Sequence, residues 1–203
     1  MEIRYALLRT VLDPLLAVAG PAGLVRLEFL PRAWEYHTRA HAVGRALAAD
    51  ERRALAAAAG VAEPAAVPPP EPAITEDGAA FAALRDQLAE YFTGRREAFD
   101  LPLALRGTPF QVKVWQALLR IPYGRLRTYG ELARVIRQPT ATRAVGQAAG
   151  HNPLPILVPC HRLVGKGGSL VGFAGGVTTK ARLLRLEGHT LGDAHRIEEP
   201  RLF

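Results

Sequence analysis

The sequence predicts an α+β protein in two unlike parts, and three observations carry that prediction. Residues 1–105 open with strand-like alternation and continue in alanine-rich helical stretches. Residues 106–203 hold two helix-capping signatures in quick succession. The charge balance changes sign between the parts, with 11 Lys and Arg against 14 Asp and Glu in the first and 15 against 5 in the second. The chain has 203 residues, 49% apolar and 22% charged, enough for a sizeable core. Only the basic second part suits a polyanionic partner.

In the first part, residues 6–20 mimic a short secretion signal, but Arg9 and Asp13 interrupt it, and paired strands are the better reading. Val25, Leu27 and Phe29 alternate with Arg26 and Glu28 after the turn residues 20–23, which predicts another strand. Residues 34–59 read as helix, interrupted near Asp50. Five of the 16 prolines fall in residues 63–72, which excludes helix and predicts an exposed loop. Phe81, Leu84, Leu88, Tyr91 and Phe92 keep helical spacing up to Gly94. His37 and His41 stand one helical turn apart, yet no third ligand follows, so a solvated helix face is preferred to a metal site. This part carries no chemical motif and is expected to be scaffold.

The second part is more explicit. Thr108-Pro109-Phe110-Gln111 is a capping box with proline at the first helical position, and the helix it opens buries Phe110, Val114, Trp115 and Leu118. Gly124 breaks the chain, and Thr128 to Glu131 forms a second box that opens a short helix, residues 129–136. Gln138-Pro139 makes a turn, and Thr140 is expected to cap a third helix ending at Gly150. Two short helices across a tight turn form a helix-turn-helix pattern. Ala141, Ala144, Gly146, Ala148 and Ala149 keep the third helix thin, and Arg143 is its only charge. Such a surface suits either close helix packing or approach to a nucleic-acid groove.

The chain has one cysteine, Cys160, which excludes an intrachain disulfide and a multi-thiolate zinc site and fits a reducing cytoplasm. No apolar run is long enough to span a bilayer. Pro153, Pro155 and Pro159 predict an extended run with an apolar centre, residues 156–158, leading to Cys160. A lone thiol is by default a small buried hydrophobe. Three features point instead to chemistry. His161 adjoins it, although neighbours in an extended segment point apart, so a water relay would join them. Glycines 167, 168, 172, 175 and 176 suit a loop that approaches a ligand. A helix expected to start at Thr178 or Thr179 ends at Glu187, where a carboxylate opposes the helix dipole. A protonatable histidine would compensate it, as would Arg182, Arg185 or solvent. A nucleophilic thiol needs such a base or an electropositive setting, because a free thiol is mostly protonated at neutral pH. Asn152, just past a helix end, would brace the turn around Cys160.

The segment VPCHR, followed by LVGKGGSLVGFAGG and ending at LLRLEG, with YGELARVI and TRAVGQAAGHNPLPIL before it, resembles the O6-alkylguanine-DNA alkyltransferases. These are the methylated-DNA–protein-cysteine S-methyltransferases, and the resemblance covers residues 75–190. It implies a ribonuclease-H-like sheet-and-helix domain at 1–105, a winged helix-turn-helix domain at 106–190, and a tail at 191–203. Cys160 then corresponds to the alkyl acceptor, His161 to its base through a water, Glu187 to the group orienting the imidazole, and Asn152 to the brace. Arg143 matches an arginine finger that fills the space of an extruded guanine, and Tyr129 a residue that crowds the target phosphate. Thr128, Ala141, Thr142, Ala144, Gly146 and Gln147 match the surface that enters the minor groove. Leu163 and Cys160 would offer carbonyls to the guanine amino group, while Pro155, Phe173, Ala174 and Gly175 would line the pocket. Phe173 stands where many relatives carry tyrosine, which keeps stacking and loses a hydroxyl.

The resemblance further implies duplex DNA carrying O6-alkylguanine as partner, O4-alkylthymine being left open, and a single irreversible transfer per molecule. It implies no cofactor, no metal, no membrane and a cytoplasmic monomer. Two other readings of the residues stand beside it. A Cys–His hydrolase leaves the basic helix-turn-helix unexplained. A non-catalytic lesion-binding or regulatory DNA-binding protein leaves Cys160, His161 and Glu187 without a purpose.

Overall fold

Apolar residues at alternate positions near the start of the chain become a meander of antiparallel strands, β1 (Glu2–Leu8), β2 (Leu15–Gly20) and β3 (Gly23–Phe29). The structure is a computed structural model that describes residues 2–30, 35–59, 72–192, 196–198 and 202–203. A short strand, β4 (Ala73–Glu76), joins β1 in parallel and completes the order β3-β2-β1-β4. Ile3, Tyr5, Leu16, Val18 and Val25 face one side of this sheet, beneath α1 (Tyr36–Ala59). Leu8, Leu15, Ala17, Leu27 and Phe29 face the other, toward α2 (Ala82–Phe92) with its buried Leu84, Leu88 and Tyr91. That second face is continuous with the core of the following helices, including Val114, Leu118 and Leu183. The two parts therefore share one core, and β3 abuts the segment before Cys160, with Leu27 N–H donating to Pro153 O at 2.8 Å.

Two expectations for this part change. α1 runs unbroken through Asp50, whose carboxylate pairs with Arg53 one turn later and so supports the helix. Its start is Tyr36; Trp34 and residues 63–71 of the expected proline-rich loop lie outside the described residues. His37 and His41 both serve Tyr5: its hydroxyl bonds His37 Nδ1 at 2.9 Å and its ring meets the edge of His41 at 5.9 Å.

Both capping boxes form as the sequence requires. Thr108 caps α3 (Pro109–Leu118) and Thr128 caps α4 (Tyr129–Val135), each with the reciprocal bond from the third residue. Val114, Trp115 and Leu118 are buried, and Phe110 is half-buried. Trp115 Nε1 donates to Ala148 O at 2.9 Å, which locks α3 to α5 (Thr142–Gly150). The small residues of α5 divide by face: Val145, Ala148 and Ala149 are buried, while Thr142, Arg143 and Gln147 are exposed. Thr140 does not cap α5; Ala141 holds that position, has no side-chain acceptor to offer, and closes the preceding turn through its N–H onto Gln138 O at 2.9 Å.

The small parallel pair β5 (Arg127–Thr128) and β6 (Leu163–Val164) forms the wing beside these helices. α6 (Gly176–Leu186) begins before Thr178, with Gly175 as its N-cap. The run expected to be extended is a tight turn. Val158 N–H reaches back to Leu154 O at 2.8 Å, and Ile156 sits at φ 75°, a left-handed position that costs a β-branched residue about 1–2 kcal/mol. Burial of Leu154, Ile156, Leu157 and Val158 offsets that strain and meets the demand of the apolar centre through a turn. No helix among the described residues is long and apolar enough to cross a membrane.

Candidate active site

The turn delivers Cys160 into one 3₁₀ turn, Cys160–Arg162, whose three residues are all buried. Asn152 braces it from below. Its amide donates to Val158 O at 2.8 Å and to Cys160 Sγ at 3.1 Å, while its Oδ1 accepts from Leu154 N at 3.0 Å. Burial pushes the Cys160 thiol up, opposed by the Asn152 hydrogen bond and by the charge of Lys180. The sulfur lies on a cavity of about 580 Å³ between α5 and the loop 171–174.

His161 and Arg162 both reach Glu187. His161 Nε2 lies 2.8 Å from Glu187 Oε1, and Arg162 spans both carboxylate oxygens at 2.9–3.1 Å. Tyr91 donates to Oε1 at 2.7 Å and Gly124 N–H to Oε2 at 3.2 Å. Burial opposes ionisation of Glu187, but His161 and Arg162 outweigh it and hold the carboxyl well below the usual range. The carboxylate at the adverse end of α6 is thus met by the histidine, as the sequence suggested, and also by Arg162, rather than by Arg182 or Arg185. Burial depresses the His161 pKa, with Glu187 acting in the opposite sense. A neutral ring that donates Nε2–H to Glu187 keeps its lone pair on Nδ1. Nδ1 meets no hydrogen-bond partner among the described residues, which leaves it free to accept a proton.

Lys180 is the unexpected member. Its side chain is fully buried, and Nζ donates to Leu163 O at 2.6 Å and Val171 O at 2.9 Å. Burial lowers its pKa to about 8, with Cys160 acting in the opposite sense. At neutral pH Lys180 and Arg162 are positive and Glu187 negative, so this buried set favours one further negative charge, which a Cys160 thiolate would supply. Tyr129 shares the Val171 carbonyl, donating at 3.1 Å, and burial raises its pKa to about 12.

Of the residues singled out in the sequence, Tyr129, Thr142, Arg143, Gly146 and Gln147 line the cavity from the helix side. Phe173 and Ala174 close the other side, with Cys160 between. Six others stand back from it. Thr128 caps α4, Ala141 caps α5, and Ala144 is half-buried on α5. Pro155 lines a neighbouring cavity, Gly175 caps α6, and the Leu163 carbonyl is engaged by Lys180. Sequence reasoning missed Tyr91, Arg162 and Lys180. Tyr91 sat in an apolar helical stripe, where a buried hydroxyl needs a partner, and that need was the available signal.

Cys160 lies on an apolar cavity rimmed by a helix-turn-helix, with Asn152, His161 and Glu187 buried around it. Together they define a cysteine-dependent protein that works on nucleic acid. The comparisons agree. Residues 3–105 match the family model "6-O-methylguanine DNA methyltransferase, ribonuclease-like domain", and residues 109–189 match its "DNA binding domain". A methylated-DNA–protein-cysteine methyltransferase of Mycobacterium tuberculosis is 55% identical over 113 residues, covering 56% of this chain and 68% of the relative. The crystal structure of Mycobacterium tuberculosis O6-methylguanine methyltransferase superposes with TM-score 0.69 at 38% identity, over 91% of this chain and 92% of that one. The structure of Mycobacterium tuberculosis OGT in complex with DNA gives TM-score 0.68 at 38% identity over the same shares. This chain belongs to the 6-O-methylguanine DNA methyltransferase family.

Proposed function

We propose that this protein repairs DNA by direct reversal, moving an alkyl group from guanine O6 to its own Cys160. One observation carries the assignment of roles: Glu187 engages His161 Nε2 while Nδ1 is unengaged, and Asn152 holds the sulfur at the cavity floor. An O6-alkyl group inside a duplex is out of reach of a buried thiol, so the base must be flipped out, at an unstacking cost of a few kcal/mol. Arg143, exposed at the cavity rim on α5, fills the space in the stack, and Tyr129 crowds the backbone opposite. The exposed residues of α5 meet the minor groove, and the basic second part supplies salt-sensitive contacts to phosphate.

The Cys160 proton passes to His161 Nδ1 through a water, and the imidazolium is stabilised by Glu187. The thiolate attacks the alkyl carbon in line, a sulfur–carbon bond forms, and the carbon–O6 bond breaks with its electron pair going to the guanine. One proton returned to the base restores guanine. The product thioether resists hydrolysis, so each molecule acts once, and the chain's own groups suffice without a cofactor. A monomer in a reducing cytoplasm, where a lone thiol stays free, fits this chemistry.

The test is intact-protein mass spectrometry after mixing with duplex DNA that holds one O6-methylguanine, followed by peptide mapping. The expected result is stoichiometric gain of one methyl on Cys160, absent in Cys160→Ser. Tight, lesion-selective binding with no mass gain would make the protein a damage sensor and overturn the transfer reading.

A further inference from the structure

Among the described residues only two non-glycine positions hold a left-handed backbone, Arg137 at φ 58° and Ile156 at φ 75°. That conformation is unfavourable for a residue with a Cβ. Ile156 is buried, and packing of the turn before Cys160 offsets its strain. Arg137 is exposed and has no such compensation. It follows the C-cap of α4, where Arg137 N–H closes on Arg134 O and Gln138 N–H on Ala133 O, both at 2.9 Å. This pair of bonds is the helix ending that most often takes glycine, and sometimes asparagine, at the left-handed site. Arginine there departs from what the local backbone asks.

The side chain has no internal use that explains it. Among the described residues its guanidinium meets no carboxylate and no hydrogen-bond acceptor. Between Glu131 and Glu187 the chain has no Asp or Glu at all. A helix C-terminus favours a cation, but Arg134 already supplies one in the last turn of α4. Location is what distinguishes Arg137. It stands in the turn between α4 and α5, and residues 137–140 are all exposed. That exposed surface continues to Thr142 and Arg143 at the rim of the Cys160 cavity. Residues held in sparsely populated backbone states collect at functional sites, where contacts with a partner offset the strain.

We propose that Arg137 is a DNA-contacting residue whose guanidinium binds a backbone phosphate beside the place where α5 enters the groove. A phosphate accepts two parallel N–H bonds from a guanidinium, and the contact is independent of base sequence. The two closing bonds of α4 fix the backbone of residue 137, so the charge is presented from the turn itself. Arg143 on α5 is then free to enter the stack while Arg137 holds the strand outside it. The inference rests on the alkyl-transfer reading above, which brings duplex DNA to α5.

Binding of the full chain to an unmodified fluorescent duplex, followed by anisotropy from about 50 to 200 mM salt, tests it. Arg137→Gly and Arg137→Asn both remove the charge and suit a left-handed backbone, the second with less added backbone freedom. Each should weaken binding about fivefold at low salt. Each should also make the slope of log K against log salt shallower by about 0.9, the share of one phosphate. Thermal midpoints should meanwhile rise by about 2–4 °C as the strain is relieved. Arg185→Gln makes the same change of net charge on an exposed position of α6 and should leave the slope unchanged. An unchanged slope in both Arg137 variants, or an equal loss in Arg185→Gln, would overturn the contact. Weaker binding with a lowered midpoint in Arg137→Asn would make the residue structural and overturn it too. Absence of duplex binding by the unaltered protein would instead overturn the functional reading itself.

Discussion

The molecule holds two clusters that share a tyrosine, a histidine and a glutamate, and burial, together with Arg162 in the second, separates their chemistry. In the N-terminal part, His37 bonds Tyr5 and stands 3.9 Å from Glu76, with both side chains about half exposed. In the C-terminal part, His161 lies 2.8 Å from Glu187 with Tyr91 on the same oxygen, and both side chains of the pair are fully buried. Water screens the first pair and makes it worth little. The second is cut off from water, so its geometry fixes a tautomer, holds a carboxylate ionised and leaves one nitrogen lone pair for proton transfer. Identical side chains make a surface contact in one place and, in the mechanism proposed above, a base in the other.

The sharpest way to break this contrast is Glu187→Gln. Removing one partner leaves Arg162 buried and uncompensated, which should cost about 3–5 kcal/mol of stability, read from denaturant midpoints. Transfer should also slow by about a hundredfold as the base loses its orienting charge. A variant of normal stability and rate would show that the buried cluster is no more than its exposed counterpart.

Arg143→Ala comes next. It should slow transfer from duplex DNA on the order of tenfold, through lost support for the extruded base, and leave transfer from the free modified base unchanged. Equal losses on both substrates would place its action in the cavity rather than in the stack.

A smaller effect follows from Lys180. Because burial raises the Cys160 pKa, iodoacetamide labelling of the thiol should accelerate with pH through the neutral range. Lys180→Met should move that profile to higher pH, since the ammonium lowers the thiol pKa; an unmoved profile would remove Lys180 from the electrostatics. The folded pKa of Lys180, about 8, is below its ordinary value of 10.5, so the unfolded chain binds more protons between them. Its contribution therefore makes stability rise with pH across that window, and Lys180→Met should flatten the rise.

The smallest effect is the control. Glu76→Gln, in the exposed cluster, should change stability by less than about 0.5 kcal/mol and leave alkylation untouched. A slowed transfer in that variant would mean that the two clusters communicate through the sheet.

Much of this was legible in the residues. The capping boxes at Thr108 and Thr128 are local, because both partners lie within four residues, and both form. Cys160, His161, Asn152 and Glu187 were recognisable through the resemblance, and their order along the chain carried it. Long-range pairings were less accessible. Nothing near Tyr91 in sequence announces Glu187, and the apolar stripe around it argued only for core. Arg162 stood in plain view beside His161, yet its partner is a carboxylate 25 residues away. The run before Cys160 misled because three prolines favour extended backbone, while burial of Ile156 and Leu157 required a turn strained at φ 75°. The scaffold reading of the first part missed Tyr91 for the same reason: it does its work across the shared core.

The bond from Tyr91 to Glu187 also bears on how the protein matures. The two residues are 96 positions apart, and a ribosome makes the tyrosine first. The carboxylate that engages the histidine is the C-cap of α6, near the end of the core. In the proposed mechanism, the last helix of the described residues to emerge thus completes the thiol's environment, and a nascent chain carries its nucleophile before the group that orients its base.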